Sequence, residues 1–188
     1  PLFEPKIGYQ FDHRYGDFGL VREGGSTHIL PKTSLENHIN PQHVILPRYW
    51  LPEDDVDERL EDKWNMQWLL GWRDVTDARA SARTMVSGVI PRSGVGHEYL
   101  LLMPQTSAVL TACLSGNLNS FVLDYVARQK VGGLALKYFV IKQLAVLPHT
   151  NYQDKCAWSS GDSVDGWLVS RILELTYTAW DMQPFAKD

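Results

Sequence analysis

Arginine and lysine side chains are the groups in this sequence whose type and spacing best suit a chemical task. Arginine can bond O6 and N7 of guanine together, and both residue types bind phosphate oxygens, so such cations indicate nucleic-acid binding. Residues 71–97 hold four arginines against two aspartates. The predicted DNA-binding residues are Arg14, Arg22, Lys32, Arg73, Arg79, Arg83, Arg92, Ser93, Arg128 and Lys130, with Asn37, Asn40, Lys137 and Lys142 as further candidates.

Each of these cations also has a structural interpretation. It can form a surface ion pair or interact with a helix dipole, and for most of them this stands even with DNA contact. The exceptions are Arg14 and Arg83, for which buried pairing with Asp12, Asp74 or Asp77 is the favoured interpretation.

The sequence predicts no catalytic residues. A DNA adenine methyltransferase needs a glycine-rich loop for its methyl donor and an Asn-Pro-Pro-aromatic tetrad that holds the extruded base. Asn40-Pro41-Gln42-His43 lacks the second proline and the aromatic residue, and Gly94-Val95-Gly96 lacks a third glycine. Neither stretch completes a motif.

Carboxylates are concentrated in residues 53–62, which hold seven acids and one arginine. Nuclease chemistry usually needs clustered carboxylates that bind magnesium. A helix distributes these acids around its circumference, so a solvated face is the favoured interpretation. The six histidines are scattered and do not predict a zinc site. Neither a metal site nor a bound cofactor is predicted for this chain.

The bulk composition is that of one ordinary globular domain. The chain has 188 residues, of which 44% are hydrophobic and 21% charged. Its net charge of −4 argues mildly against nucleic-acid binding, but outside residues 53–62 there are 17 basic and 15 acidic residues. Two cysteines form no disulfide framework, and no apolar run could span a bilayer, so a cytoplasmic setting is expected. The start at Pro1 predicts a piece of a longer protein.

Two helices at about 105–130 form the predicted centre of the fold, and a C-terminal helix is predicted at about 164–180. A break or bend is predicted at Gly116-Asn117. The second helix of the pair carries the apolar set Phe121, Val122, Tyr125 and Val126.

The remaining segments predict a small, mostly antiparallel sheet and hence the α+β class. A surface helix is expected within residues 52–66 and an irregular loop at 19–43. Residues 138–146 fit either a strand or a turn of helix that leads into one. The predicted strands are 5–12, 67–75, 84–90 and 99–103.

Three groups of residues carry a resemblance to a known family. They are Lys6 with Phe11-Asp12-His13-Arg14-Tyr15, then Trp72-Arg73-Asp74-Val75-Thr76 with Arg83-Thr84 and Ile90-Pro91, then Asn119 to Gly133 with Lys142-Gln143-Leu144 and Leu147-Pro148. Together they span most of the chain. They resemble the target-recognition domains of type IIG and related restriction–modification enzymes, single-chain proteins that carry an adenine-specific DNA methyltransferase.

The resemblance implies that residues 1–188 form a single non-catalytic domain that recognises a sequence in double-stranded DNA. The methyltransferase domain of the same parent chain would bind S-adenosylmethionine, and the parent would methylate or cleave DNA in phage defence. Because the shared motifs recur across enzymes with different targets, base contacts are expected in the loops at 19–43, 76–83 and 91–98.

A protein–protein docking module of a phage-defence or restriction assembly is the alternative function. The net acidity favours it, as do three aromatic residues expected at the surface, Trp50, Trp64 and Trp158. A basic face formed by residues 71–97 and 128–142, opposite the acidic segment, would favour the DNA-binding function. A flat aromatic patch with dispersed cations would favour a protein partner.

Overall fold

The strands are gathered in the first part of the chain and the longer helices follow them. A computed structural model of residues 1–188 has the strands β1 (Leu2–Phe3), β2 (Trp68–Arg73), β3 (Ser87–Pro91), β4 (Gly94–Val95) and β5 (Tyr99–Leu102). The helices are α1 (Leu35–Ile39), α2 (Glu53–Leu60), α3 (Ala108–Leu118), α4 (Phe121–Lys130), α5 (Tyr138–Ile141), α6 (Val164–Thr176) and α7 (Gln183–Lys187). The predicted α+β class is confirmed.

β2 is the central strand of the main sheet. It pairs antiparallel with β3 on one side and with β5 on the other, so that Gly71 lies opposite both Gly88 and Leu101. A Cβ atom at Gly71 would lie 2.4 Å from the ring of Tyr99, so this position in β2 requires glycine. A second, two-stranded sheet is formed by β1 and β4, which run parallel.

Two hydrophobic clusters pack on successive parts of β2. The larger cluster includes Trp68 and draws on α3, α6 and α7. The smaller cluster includes Trp72 together with Leu123 of α4 and Val140 of α5. The indole N–H of Trp72 donates to the carbonyl of Leu136 at 2.7 Å. The smaller cluster therefore positions α4 and α5 beside the C-terminal end of β2.

The predicted central helical pair is confirmed as α3 and α4. Each helix begins after a serine whose hydroxyl accepts a backbone N–H of the first turn, Ser107 for α3 and Ser120 for α4. The predicted break at Gly116-Asn117 is wrong, because α3 runs through both residues. A Cβ atom at Gly116 would lie 3.0 Å from Ile172 of α6, so glycine lets these two helices pack closely.

Several local predictions need correction. No strand spans residues 5–12, because the Ile7 N–H bonds to the Glu4 carbonyl and closes a turn. Within residues 138–146 the helical turn α5 covers Tyr138–Ile141 and no strand follows it, and the loop at 19–43 contains the short helix α1. The C-terminal helix α6 ends at Thr176 and is followed by a 3-10 turn and α7.

Both cysteines are buried and free. Burial raises the pKa of the Cys113 thiol to about 11, as expected for a thiol that packs as a small hydrophobic residue inside the fold. None of the helices is both long and apolar enough to cross a membrane.

Candidate nucleic-acid interface

Two loop segments lie side by side beyond the C-terminal end of β2. An antiparallel bridge joins Val75 to Ala135, and backbone hydrogen bonds of 2.7 and 3.0 Å flank this bridge. These contacts place the turn at residues 76–83 next to the segment that follows α4.

A buried carboxylate lies at this junction. Asp74 is almost fully enclosed, and its Oδ2 accepts a hydrogen bond from the ammonium of Lys137. The other carboxylate oxygen has no hydrogen-bond partner. Because the Lys137 side chain remains about half exposed, it both pairs with Asp74 and contributes charge at the surface.

The turn at 76–83 is fixed by the guanidinium of Arg128. Its terminal nitrogens donate to the carbonyls of Ala78, Ser81 and Ala82 at 2.8, 3.0 and 3.1 Å. Hydrogen bonds from a charged donor are stronger than neutral ones. Arg128 was predicted to contact DNA, and three of its five guanidinium N–H groups donate within the chain.

A second carboxylate connects α4 to the segment before β3. Asp124 is buried and accepts the backbone N–H groups of Thr84 and Met85, both at 2.8 Å. The Nε of Arg83 lies 3.6 Å from the same carboxylate. Arg83 therefore forms a buried ion pair, as the favoured interpretation had it. Its acidic partner, however, is Asp124 and not Asp12, Asp74 or Asp77.

Sequence reasoning did not assign a role to Asp124 or Asn119. The Asn119 side chain exchanges two hydrogen bonds with the backbone of Ser87, at 3.1 and 3.0 Å, as a neighbouring strand would. Both residues lie within the stretch Asn119 to Gly133 that carries the resemblance. A signal was present, since an acid within an apolar helical segment needs a partner when it is buried.

Asp77 shapes the exposed part of the turn. Its carboxylate accepts the backbone N–H of Arg79 at 2.9 Å, and this bond holds the pKa of Asp77 below its ordinary value of 3.8. The Arg79 side chain is 87% exposed, with Nε 3.6 Å from the same carboxylate. The turn thus presents the Arg79 guanidinium to solvent.

The charged side chains of residues 73–83 and 124–142, here called the basic surface, are seven basic and three acidic, a net charge of +4. Asp74, Asp77 and Asp124 pair with Lys137, Arg79 and Arg83, whereas Lys130 and Lys142 are exposed and form no ion pair. A Cβ atom at Gly132 or Gly133 would meet nothing within 4 Å, so the backbone there is open to a ligand. The arrangement suits an anionic partner.

The acidic helix α2 lies at the other end of β2. Arg92, next to the N-terminal end of β2, contacts Oδ1 of Asp57 in α2 at 2.8 and 2.9 Å. It also donates to the carbonyls of Trp64 and Met66 at 3.0 and 3.2 Å. Six residues of strand span about 20 Å, so β2 separates the acidic helix from the basic surface.

Two predicted DNA-binding residues, Arg92 and Ser93, lie at this acidic end and away from the basic surface. Arg92 is bound to α2 and to backbone carbonyls, and Ser93 is buried. These two side chains of the loop at 91–98 therefore do not lie on the basic surface. Trp64, expected at the surface, is also buried, whereas Trp50 and Trp158 are exposed as predicted.

Arg14 is the most enclosed of the predicted DNA-binding residues. It is 0% exposed, and this burial lowers the pKa of its guanidinium. The backbone N–H of Arg14, and not its guanidinium, donates to the Asp12 carboxylate. The predicted DNA contact is wrong, because the guanidinium donates at 2.8–3.4 Å to the carbonyls of Asn37, His38, Asn40, His43 and Thr178.

Arg73, also predicted to contact DNA, is partly buried and bonds within the chain. It donates to two carbonyls of the N-terminal segment at 2.9 and 2.8 Å, and burial lowers its pKa. A stack of side chains extends outward from it. Tyr9 lies 5.8 Å from the Arg73 guanidinium and 4.8 Å from the Tyr15 ring, over which Lys32 lies at 5.1 Å. The stack connects exposed Lys32 to the C-terminal end of β2.

The other predicted residues of the 19–43 loop divide between surface and internal contacts. Arg22 is exposed. Asn37 is partly buried in α1, and the Asn40 side-chain oxygen accepts the Gln42 N–H at 3.0 Å. Arg22 and Lys32 are therefore the cations that this loop presents.

Comparison of the chain with protein-family models, with curated proteins and with solved structures found no match. No group of three or more histidine, cysteine, aspartate or glutamate side chains is arranged to hold a metal ion. The function is therefore inferred from the chain's own residues.

Proposed function

We propose that this chain is a non-catalytic domain that recognises double-stranded DNA through the basic surface. The observation that carries the proposal is the separation of charge along β2. Exposed Arg79 and Lys130 lie beyond one end of the strand, where Arg128 joins α4 to the turn at 76–83, and the acidic helix α2 lies beyond the other end. Phosphate contacts supply much of the affinity for DNA, so a duplex would bind at the basic surface with α2 turned away.

The arginines of the shared motifs support the same proposal. Arg14, Arg73, Arg83 and Arg128 all donate to backbone carbonyls within the chain. They hold the scaffold, as expected for residues common to domains with different DNA targets. Sequence reading then falls to exposed loop residues. Arg79 in the turn at 76–83, and Arg22 and Lys32 in the loop at 19–43, have the required side chains.

The wider setting of the proposal follows from the motif resemblance. The domain would position DNA for an adenine methyltransferase domain of the same parent chain, which would bind S-adenosylmethionine. The parent would act as a cytoplasmic restriction–modification enzyme in phage defence.

Binding to random-sequence duplex DNA across a salt series, measured by fluorescence anisotropy, tests the proposal. We expect a dissociation constant of roughly 1 μM to 0.1 mM that weakens steeply with salt. The double variant Arg79→Ala/Lys130→Ala should lower the slope of log affinity against log salt by about 2, because on random-sequence DNA, which lacks the target bases, both cations contact phosphates.

A matched control removes the same charge at the other end of β2. Arg59 and Lys63 are exposed beside the acidic helix, and Arg59→Ala/Lys63→Ala should leave the slope unchanged. Equal slopes for the two double variants would contradict the proposal.

A docking module is the second candidate, and a different surface favours it. Residues 35–51 expose a run of large apolar side chains, Leu35, Ile39, Val44, Leu46 and Trp50. Such patches mark protein contacts. Under this proposal Leu46→Ser/Trp50→Ser would abolish calorimetric binding to the purified methyltransferase domain of the parent chain, and the basic-surface double variant would not.

A further inference from the structure

One face of α4 exposes apolar side chains to solvent. Phe121, Val122 and Tyr125 are 82%, 77% and 66% exposed. The opposite face, with Leu123 and Ala127, is buried in the smaller hydrophobic cluster. The exposed face, here called the aromatic face (Phe121, Val122 and Tyr125), is thus the side of the helix that lies outside the hydrophobic clusters.

The two rings of the aromatic face are one helical turn apart. Residues at this spacing lie on the same side of a helix, roughly 6 Å from each other. Rings so placed offer adjoining flat surfaces to a ligand that stacks.

The ring of Phe121 is held by a fixed cation. The Arg83 guanidinium lies 4.5 Å from the ring centroid. Arg83 is itself fixed by a hydrogen bond to the Asn119 carbonyl and by its ion pair with Asp124. One side of the ring therefore faces a positioned cation, while the ring as a whole stays open to solvent.

The aromatic face also joins the basic surface. α4 begins at Phe121 and ends at Lys130, a distance of about 13 Å along the helix axis. A nucleic-acid strand with its phosphates on the basic surface can therefore place a base over the rings of α4. Residues 35–51 also place a guanidinium over a ring, since Arg48 lies 5.0 Å from the ring centroid of Tyr49. Tyr49 and Trp50, however, are sequence neighbours outside any helix and are not one helical turn apart.

We propose that Phe121 and Tyr125 form a stacking site for an unpaired nucleobase of the DNA held on the basic surface. Every base has a flat π-face, so the site would take a bulged or extrahelical base with little regard to its identity. The inference rests on the proposed DNA binding and adds the structural class of substrate, a duplex that carries an unpaired base.

The test compares three DNAs of equal length by anisotropy: a fully paired duplex, the same duplex with one bulged purine, and a single strand. The intact chain should bind the bulged duplex roughly fivefold more tightly, or better, than the paired duplex. Phe121→Ala/Tyr125→Ala should abolish that preference and leave the paired-duplex affinity and its salt slope unchanged. Trp50→Ala, which removes another exposed aromatic ring, should keep the preference.

A fluorescent 2-aminopurine at the bulge gives a second readout. Stacking on the aromatic face should quench its emission with the intact chain and not with the double variant. Tyr125→Phe keeps the ring and should retain the quenching.

The outcomes separate the two proposals. Salt-dependent duplex binding without a preference for the bulge, or a preference that survives in the double variant, overturns the stacking site and leaves DNA recognition standing. Failure to bind any of the three DNAs overturns both. If the double variant abolishes self-association of the chain while the bulge preference persists, the aromatic face is a protein-docking surface and the stacking proposal is wrong.

Discussion

The loop at 19–43 and the turn at 76–83 are each fixed by one arginine that donates to backbone carbonyls, but at different depths. Arg14 is fully buried and joins the loop to the carbonyl of Thr178 near the C-terminus. Arg128 is about one-third exposed and joins the turn to α4. Its partners are closer along the sequence than Thr178 is to Arg14.

The difference teaches how an arginine near a loop should be interpreted. Carbonyls that turn inward at the base of a loop need donors, because an unpaired buried carbonyl is costly. A buried guanidinium can satisfy several at once. Such an arginine fixes the loop and is not itself presented at the surface. The cations that remain exposed to solvent are Arg79 in the turn and Arg22 and Lys32 in the loop.

Arg14→Met should have the largest effect on stability. The change removes the donor from the carbonyls of Asn37, His38, His43 and Thr178 and leaves a cavity where a fully buried guanidinium lay, so we expect the free energy of unfolding to fall by about 3 kcal/mol or more. Urea denaturation followed by tryptophan fluorescence measures this. Arg22→Met, an exposed position in the same loop, should change it by less than about 0.5 kcal/mol. Similar values for the two variants would contradict the buried role of Arg14.

Arg128→Met should have a smaller effect, because water can partly replace the lost donor. We expect a loss of about 1–2 kcal/mol in the free energy of unfolding. The turn should also loosen, so trypsin should cleave faster after exposed Arg79 in the variant than in the intact chain. A loss of stability as large as that of Arg14→Met would show that depth of burial does not distinguish the two arginines.

Asp77→Ala should have the smallest effect of the three, and its effect should depend on pH. The Arg79 N–H lowers the pKa of Asp77 below 3.8 in the folded chain. Stabilisation is therefore fully present above the unfolded pKa and is lost as the pH falls through the folded value. The difference in urea midpoint between the intact chain and the variant should be constant near neutral pH and shrink in acid. A difference that grows in acid would contradict the assignment.

Local sequence patterns were enough to predict much of the fold. The apolar spacing of α3 and α4, and the β-branched and aromatic residues of β2 and β3, are signals contained within one element. Single residues such as Gly116 were misread, because a helix tolerates glycine where a neighbouring helix comes close.

The roles of the cations could not be predicted, because their partners are distant along the chain. Arg14 bonds to the carbonyl of Thr178, and Arg83 pairs with Asp124. Backbone carbonyls also leave no mark in a sequence. The exposure of the apolar residues of α4 could not be predicted either, since periodicity identifies an apolar face without showing whether another element covers it.

Hydrogen–deuterium exchange with and without duplex DNA tests the central claim most directly. We predict slower exchange at residues 76–83 and 128–142 when DNA is bound, with no change at residues 53–62 in the acidic helix. Protection confined to residues 35–51 or 53–62, with none on the basic surface, would contradict DNA recognition at this end of the sheet.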